Sequence, residues 1–144
     1  MPKHTLLFVD DEPWLTQALR MTLEERGFHC VVRTDASGAW EYIRWNEVSA
    51  LITDVMMPPG DEFTKVESCK AGYFLIEKVR EKFPRMSIIC LSVVSDRAKI
   101  QELKRKGVQF IRKGETPLST ARRLVESKAT GLYLPREKSS ACRG

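Results

Sequence analysis

Four short apolar runs, each stopped by a residue that can handle charge, constrain this chain more than any other feature of its 144 residues. LLFVDDE reaches the acidic pair Asp10-Asp11, ALITD ends at Asp54, SIICLS at Ser92 and QFIRK at Lys113. Each run has strand length and is apolar nearly throughout, as strands buried on both faces of a parallel sheet are. In such sheets ligands collect at the carboxyl ends of the strands, so all five side chains are aimed at one edge. Crowded carboxylates suit a hard divalent cation with oxygen ligands, here Mg²⁺. A lysine and a hydroxyl beside that cation complete a phosphate-shaped pocket.

The intervening segments carry helical spacing. Residues 13–26 place Leu15, Leu19 and Leu23 on one stripe, with Pro13 suited to a first turn and Gly27 to a stop. HCVVRT reads as a further strand. Ala36 to Trp45 aligns Ala39, Trp40 and Ile43. Gly72 to Phe83 aligns Leu75, Val79 and Phe83 and is ended by Pro84; Asp96 to Lys106 turns Ile100 and Leu103 inward and closes at Gly107. Thr116 to Lys128 turns Leu118, Ala121 and Val125 inward. Strands alternating with helices predict an α/β parallel sheet with right-handed crossovers.

Length allows one domain with a full core and not two ordinary ones. No apolar stretch approaches a membrane span, and the N-terminal run leads straight into acid, so a signal peptide is not expected. Membrane insertion is therefore not expected. Cys30, Cys69, Cys90 and Cys142 form no CxxC pair and read as free thiols of a reducing, cytoplasmic setting; His4 and His29 have no metal-ligand spacing. The net charge of +5 is uneven. Residues 1–96 hold 11 Lys/Arg against 15 Asp/Glu, and residues 97–144 hold 13 against 4. The acidic part suits a cation site. The basic part reads first as a solvated face, and direct nucleic-acid binding is not expected because no DNA-binding motif accompanies it.

From about Leu6 to about Lys128 the chain resembles the receiver domain of two-component response regulators. The resemblance rests on Asp10-Asp11, on Asp54 with Met57-Pro58 just after it, on Ser92, and on Lys113 with Phe110 three positions earlier. It implies a flavodoxin-like (βα)5 three-layer sandwich with strand order 2-1-3-4-5. Asp54 would accept a phosphoryl group from a histidine kinase or phosphotransfer protein. Mg²⁺ would be held by Asp10, Asp11, Asp54 and the carbonyl of Met56, with Asp10 acting through water. Lys113 and Ser92 would contact the phosphoryl group, and Ser92 with Phe110 would form the switch. Glu12, Met57, Pro58 and Val94 would flank the site. The fourth helix, fifth strand and fifth helix would present the result to an output protein or domain, or to a second copy of the chain on phosphorylation.

Plainer readings stand beside these. An aspartate after a strand can cap the next helix, a lysine there can be solvated, and Phe110 can be an ordinary core aromatic. Two rival functions also remain: a degenerate receiver that only binds partners, and an aspartate-nucleophile phosphatase, which Asp10 and Glu12 mimic loosely. A signalling switch without metabolite turnover is the expectation.

Two features depart from the family pattern. Gly114 stands where a proline commonly follows the lysine, so a trans bond is expected there. PGDEFTKVESCKA, residues 59–71, separates Asp54 from the helix opened by Gly72, which reads as an insertion of about ten residues lying on the surface beside the site. The expected layout is a receiver over 4–129 carrying that loop, then a short basic, mobile tail over 130–144. The chain would be a lone receiver or a shortened piece of a longer regulator.

Overall fold

The computed structural model describes residues 4–63, 65–93 and 96–131. Five strands form one parallel sheet in the order β2-β1-β3-β4-β5: β1 Thr5–Val9, β2 His29–Arg33, β3 Ala50–Thr53, β4 Ser87–Ser92 and β5 Gln109–Arg112. Between them run α1 (Gln17–Glu25), α2 (Ala36–Trp45), α3 (Ala71–Lys82) and α4 (Arg97–Arg105), and α5 (Leu118–Thr130) follows β5. This is the flavodoxin-like arrangement that the receiver resemblance implies.

Successive strand residues face opposite sides, so the unbroken apolar runs feed two cores. Leu7, Val9, Leu51, Ile88 and Cys90 pack under α2, α3 and α4. Leu6, Phe8, Ile52, Ile89 and Ile111 pack under α1 and α5. The register sets Val9 level with Thr53 and Ser92 level with Arg112. The residues that follow these strands, Asp10, Asp54 and Lys113, therefore emerge along a single edge.

Several helical details differ from the sequence expectation. The segment after β1 starts as a 3-10 turn, Pro13–Thr16, before α1. Three residues per turn in place of 3.6 shifts the phase, so Thr16 is buried and Leu15 is 52% exposed, while Leu19 and Leu23 are buried. In α5 the helix starts at Leu118, not Thr116, because a turn held by Glu115 and Thr116 donating to the Arg112 carbonyl occupies the chain first. Leu118 in that first helical turn is exposed, whereas Ala121 and Val125 are buried. Ile100 is only half-buried; Leu103 carries the inward contact of α4. The expected tail falls almost wholly on residues 132–144, outside the described residues.

The largest difference lies in residues 59–71, the segment expected as a surface insertion. It contains two 3-10 turns, Asp61–Phe63 and Ser68–Lys70, and Phe63 enters the α2–α3 core at 7% exposure. Its ring meets Phe74 edge-on at 5.0 Å, and the Lys78 ammonium lies 5.3 Å from the Trp40 ring and 6.0 Å from that of Phe63. Backbone bonds fasten the loop to α2: Ala36 N donates to the Pro58 carbonyl, Ser37 N to that of Pro59, and Glu62 N to Ser37 Oγ. At its neck Gly72 N donates to the Val55 carbonyl at 2.8 Å, so the excursion leaves and returns at one place, as Ω-loops do. One aromatic among polar neighbours gave no period by which to recognise a core anchor. Phe63→Ala is expected to cost about 3 kcal/mol by urea unfolding, the low end for a buried phenylalanine. A cost near zero would restore the surface-loop reading.

Candidate functional site

The site forms where three strands end. Asp10 N donates to the Arg33 carbonyl, Asp54 N to that of Val9 and Lys113 N to that of Ser92, so each backbone position is fixed by a neighbouring strand. Lys113 Nζ lies 2.6 Å from Asp10 Oδ2 and 2.7 Å from Asp54 Oδ2. The other oxygens are also engaged: Asp10 Oδ1 accepts from Glu12 N at 2.9 Å, and Asp54 Oδ1 from Val55 N at 2.6 Å. Asp10 is buried and Asp54 half-buried. Two carboxylates in so little water need a cation and donors around them, and Lys113 with the two amides supplies both. Burial disfavours the Lys113 charge, but hydrogen bonds to Asp10 and Asp54 and their negative charge outweigh it, so its pKa is raised.

The structure brings together Asp10, Asp54, Lys113 and the Ser92 backbone. Ser92 itself is buried. Asp11 and Glu12 are exposed. Among the described residues no group of three or more acidic, histidine or cysteine side chains stands gathered for a metal ion. Met56 is 59% exposed and Pro58 exposed, whereas Met57 is buried and donates its N–H to the Ser68 carbonyl. Val94 lies outside the described residues. Gly114 has φ +83 with open space around it, and no described peptide bond is cis. The left-handed conformation explains a glycine there: it turns the chain directly after Lys113 without the strain another residue would carry.

Phe110 is half-buried against the α2–α4 core, with the Arg112 guanidinium 5.6 Å above its ring. Arg112 also reaches the Val93 carbonyl at 3.5 Å and Glu115 at 3.6 Å, linking β5 to the segment after Ser92. Sequence reasoning missed Arg112, whose only signal was its place between Phe110 and Lys113. It also missed why Gly72 is a glycine. A Cβ there would lie 2.1 Å from the Asp54 carbonyl oxygen and 2.5 Å from Val55 Cα.

Beneath the site, Cys90 is fully buried. Burial, then the Asp54 charge, pushes its thiol up from 9.0 to about 12, against a smaller opposing effect of Lys113. The folded protein thus holds that proton more tightly than the unfolded chain does. Stability is expected to fall as pH climbs from 9.0 toward about 12. Lys113 acts in the same direction: Asp10 and Asp54 raise its pKa above the ordinary lysine value, and the stability of its ion pairs is lost as pH rises through that raised value. Urea midpoints on either side of pH 9.0 measure the slope. Cys90→Ala should flatten it, and an unchanged slope would remove Cys90 as its source.

Comparison with known proteins adds independent support. A family model for the response regulator receiver domain matches residues 6–124. The response regulator GtcR of Aneurinibacillus migulanus is 31% identical over 120 residues, which cover 83% of this chain and 46% of that protein. The response regulator Rre1 of Synechocystis is 31% identical over 91 residues, covering 61% and 35%. The chain thus spans less than half the length of these relatives. Among solved structures, a CheY-like receiver domain protein from Methanospirillum hungatei superposes with a TM-score of 0.75 over 90% of this chain and 96% of that one, at 16% identity. The RcsB response regulator of Salmonella typhimurium gives 0.71 over 95% and 65%, at 23% identity. These structures share the fold. With the family match spanning the sheet, the helices and the strand-end residues, this chain belongs to the response regulator receiver domain family of two-component signalling proteins.

Proposed function

We propose that this receiver is phosphorylated on Asp54 by a histidine kinase or phosphotransfer protein and acts as a switch for a downstream protein or domain. The observation that carries the reading is the Lys113 ammonium held between the Asp10 and Asp54 carboxylates at the carboxyl edge of the sheet. An Asp54 oxygen attacks the phosphorus, the bond to the donor nitrogen breaks, and the electron pair leaves with the donor imidazole. An acyl phosphate results. Little else is asked of the protein than positioning and charge neutralisation. Lys113 would move its contact from the Asp54 carboxylate to a phosphoryl oxygen, and the Ser92 hydroxyl would donate to another.

The donor set fits Mg²⁺. It is all oxygen, and Asp10 and Asp54 already turn one oxygen each toward the same positive charge. Mg²⁺ commonly takes one or two carboxylates and keeps several waters, so no closed cage of side chains is required. Asp10, Asp54, Asp11 and the Met56 carbonyl would hold it. When bound it would screen the approach of an anionic phosphoryl group, which two like charges at about 4 Å would oppose by several kcal/mol.

Partner contacts have candidate surfaces. Trp14, Met56 and Val93, each shortly after a strand-end residue, are 63%, 59% and 67% exposed. That apolar rim suits the docking of a phosphodonor protein. A groove of about 290 Å³ lined by Lys104, Phe110 and Lys128 lies on the α4–β5–α5 face, where Phe110 would report the state of Ser92. Homodimerisation on phosphorylation would use the same face. No helix among the described residues is long and apolar enough to cross a membrane.

Incubation with acetyl phosphate and Mg²⁺, followed by intact mass, tests the reading: one stable phosphate adduct is expected. No adduct would leave a binding scaffold, and steady turnover of a phosphate ester would indicate a phosphatase. Mg²⁺ alone should raise the melting temperature by binding only the folded form. Asp11→Ala should remove that rise. An equal rise in both proteins would take Asp11 out of the metal site.

A further inference from the structure

The insertion reaches beyond Asp54 to a second place in the molecule. Its distal half leans over the groove between α3 and α4 and closes it into a cleft of about 530 Å³. That is the size of pockets that hold small organic ligands, roughly 300–1,000 Å³. Ile76 and Leu103, both buried, form apolar floor, and the rings of Tyr73 and Phe74 line the α3 side.

The charges of the cleft do not cancel. Its three acids are each taken by a lysine: Glu67 by Lys70 at 3.3 Å, and Glu77 and Glu102 by Lys106 at 3.0 and 3.6 Å. Lys65 from the insertion and Lys99 from α4 also line it, both exposed, and among the described residues neither has an ion-pair partner. The Lys99 ammonium stands 5.2 Å from the centre of the Tyr73 ring, at the border between cationic rim and aromatic wall. An apolar floor, aromatic walls and a described lining of four lysines against three glutamates, with Lys65 and Lys99 on different elements, are complementary to one kind of guest.

We propose that the cleft between the insertion, α3 and α4 binds a small planar anion, an aromatic ring system bearing a carboxylate, sulfonate or phosphate. The ring lies along Tyr73 and Phe74, and the anionic group reaches Lys99 and Lys65. The insertion is then the third wall of a ligand site that an ordinary short loop after Asp54 would leave as an open groove. This holds whether or not Asp54 is phosphorylated.

Anilinonaphthalene sulfonate, which has that chemistry and reports its surroundings by fluorescence, is the probe. Titrated into the full chain under native conditions, it should saturate at one molecule per chain. Affinity should fall with added salt. Lys99→Glu and Lys65→Glu should each weaken it by about fivefold, one screened charge contact being lost and a like charge put in its place. Lys128→Glu, on the separate α4–β5–α5 groove, should leave it unchanged. Naphthoate should displace the probe and acetate should not. The two lysines sit on different elements and are exposed, so at least one variant is expected to keep the wild-type melting temperature. Unsaturable binding, affinity indifferent to both lysine reversals, or displacement only by a polyglutamate peptide would each overturn the proposal.

Discussion

Asp54→Asn is expected to take up no phosphoryl group at all from acetyl phosphate and Mg²⁺, while remaining folded. An amide oxygen is a far poorer nucleophile than a carboxylate oxygen, and no other acid stands in its place. Asp10 is near, but it is buried and bonded to both Glu12 N and Lys113. The amide can keep the bond from Val55 N through its oxygen. Its NH2 group then faces the Lys113 ammonium, donor against donor, in place of the present ion pair at 2.7 Å. Lys113 retains Asp10, so the cost should stay within the range for one lost hydrogen bond to a charged group, about 1.5–3 kcal/mol. Intact mass reads the adduct and urea unfolding reads the stability. Labelling equal to wild type would remove Asp54 from its role.

Gly72→Ala should be among the most damaging single-methyl changes in the protein. The added Cβ would stand 2.1 Å from the Asp54 carbonyl oxygen, 2.5 Å from Val55 Cα and 2.8 Å from the Val55 carbonyl oxygen. These are backbone atoms, held by Asp54 N bonding to Val9 and by the bond from Gly72 N to Val55. No rotamer change relieves the clash; the start of α3 has to move away from β3. Alanine normally improves a helix by about 1 kcal/mol over glycine. That gain cannot offset displacement of a packed helix, and a loss of about 4 kcal/mol is expected, in the exceptional range for one substitution. Against a total stability of roughly 5–15 kcal/mol this is severe. Gly38→Ala is the control, since its nearest neighbour is the Asp35 side chain at 3.1 Å, which can yield. Equal urea midpoints for Gly72→Ala and wild type would show that the contact is not tight in solution. Because the clash falls on the Asp54 carbonyl, phosphorylation of the folded fraction should slow as well.

What the sequence disclosed follows from where information resides in a chain. The strand runs were readable because burial on both faces leaves a block of apolar residues, and Asp10, Asp54, Ser92 and Lys113 were readable because each ends such a block. The stripe through Leu19 and Leu23 was equally legible. Leu15 and Leu118 were misplaced because periodicity has no knowledge of a 3-10 turn or of a helix delayed by two residues. Phe63 was misjudged for a related reason: a lone anchor in an irregular loop has no repeat to announce it. Gly72 was recognised as a helix opener, but its contact with Asp54 spans a loop whose path no local rule supplies. Arg112, bridging Phe110 and the Val93 carbonyl, depends on tertiary geometry alone.

The alternation of strand side chains has a further consequence. Leu7, Leu51, Ile88 and Cys90 lie on one side of the sheet, and Leu6, Ile52, Ile89 and Ile111 on the other, with hydrogen-bonded backbone between them. The molecule is two half-cores sharing a wall. Losses from truncating residues in different halves should sum, whereas losses within one half should couple through shared neighbours. The Asp54 loop, Phe63, Met57 and Phe110 all belong to the half under α2, α3 and α4. A change of packing on that side need not disturb the pairing of Arg26, which follows α1, with Glu126 of α5 on the other.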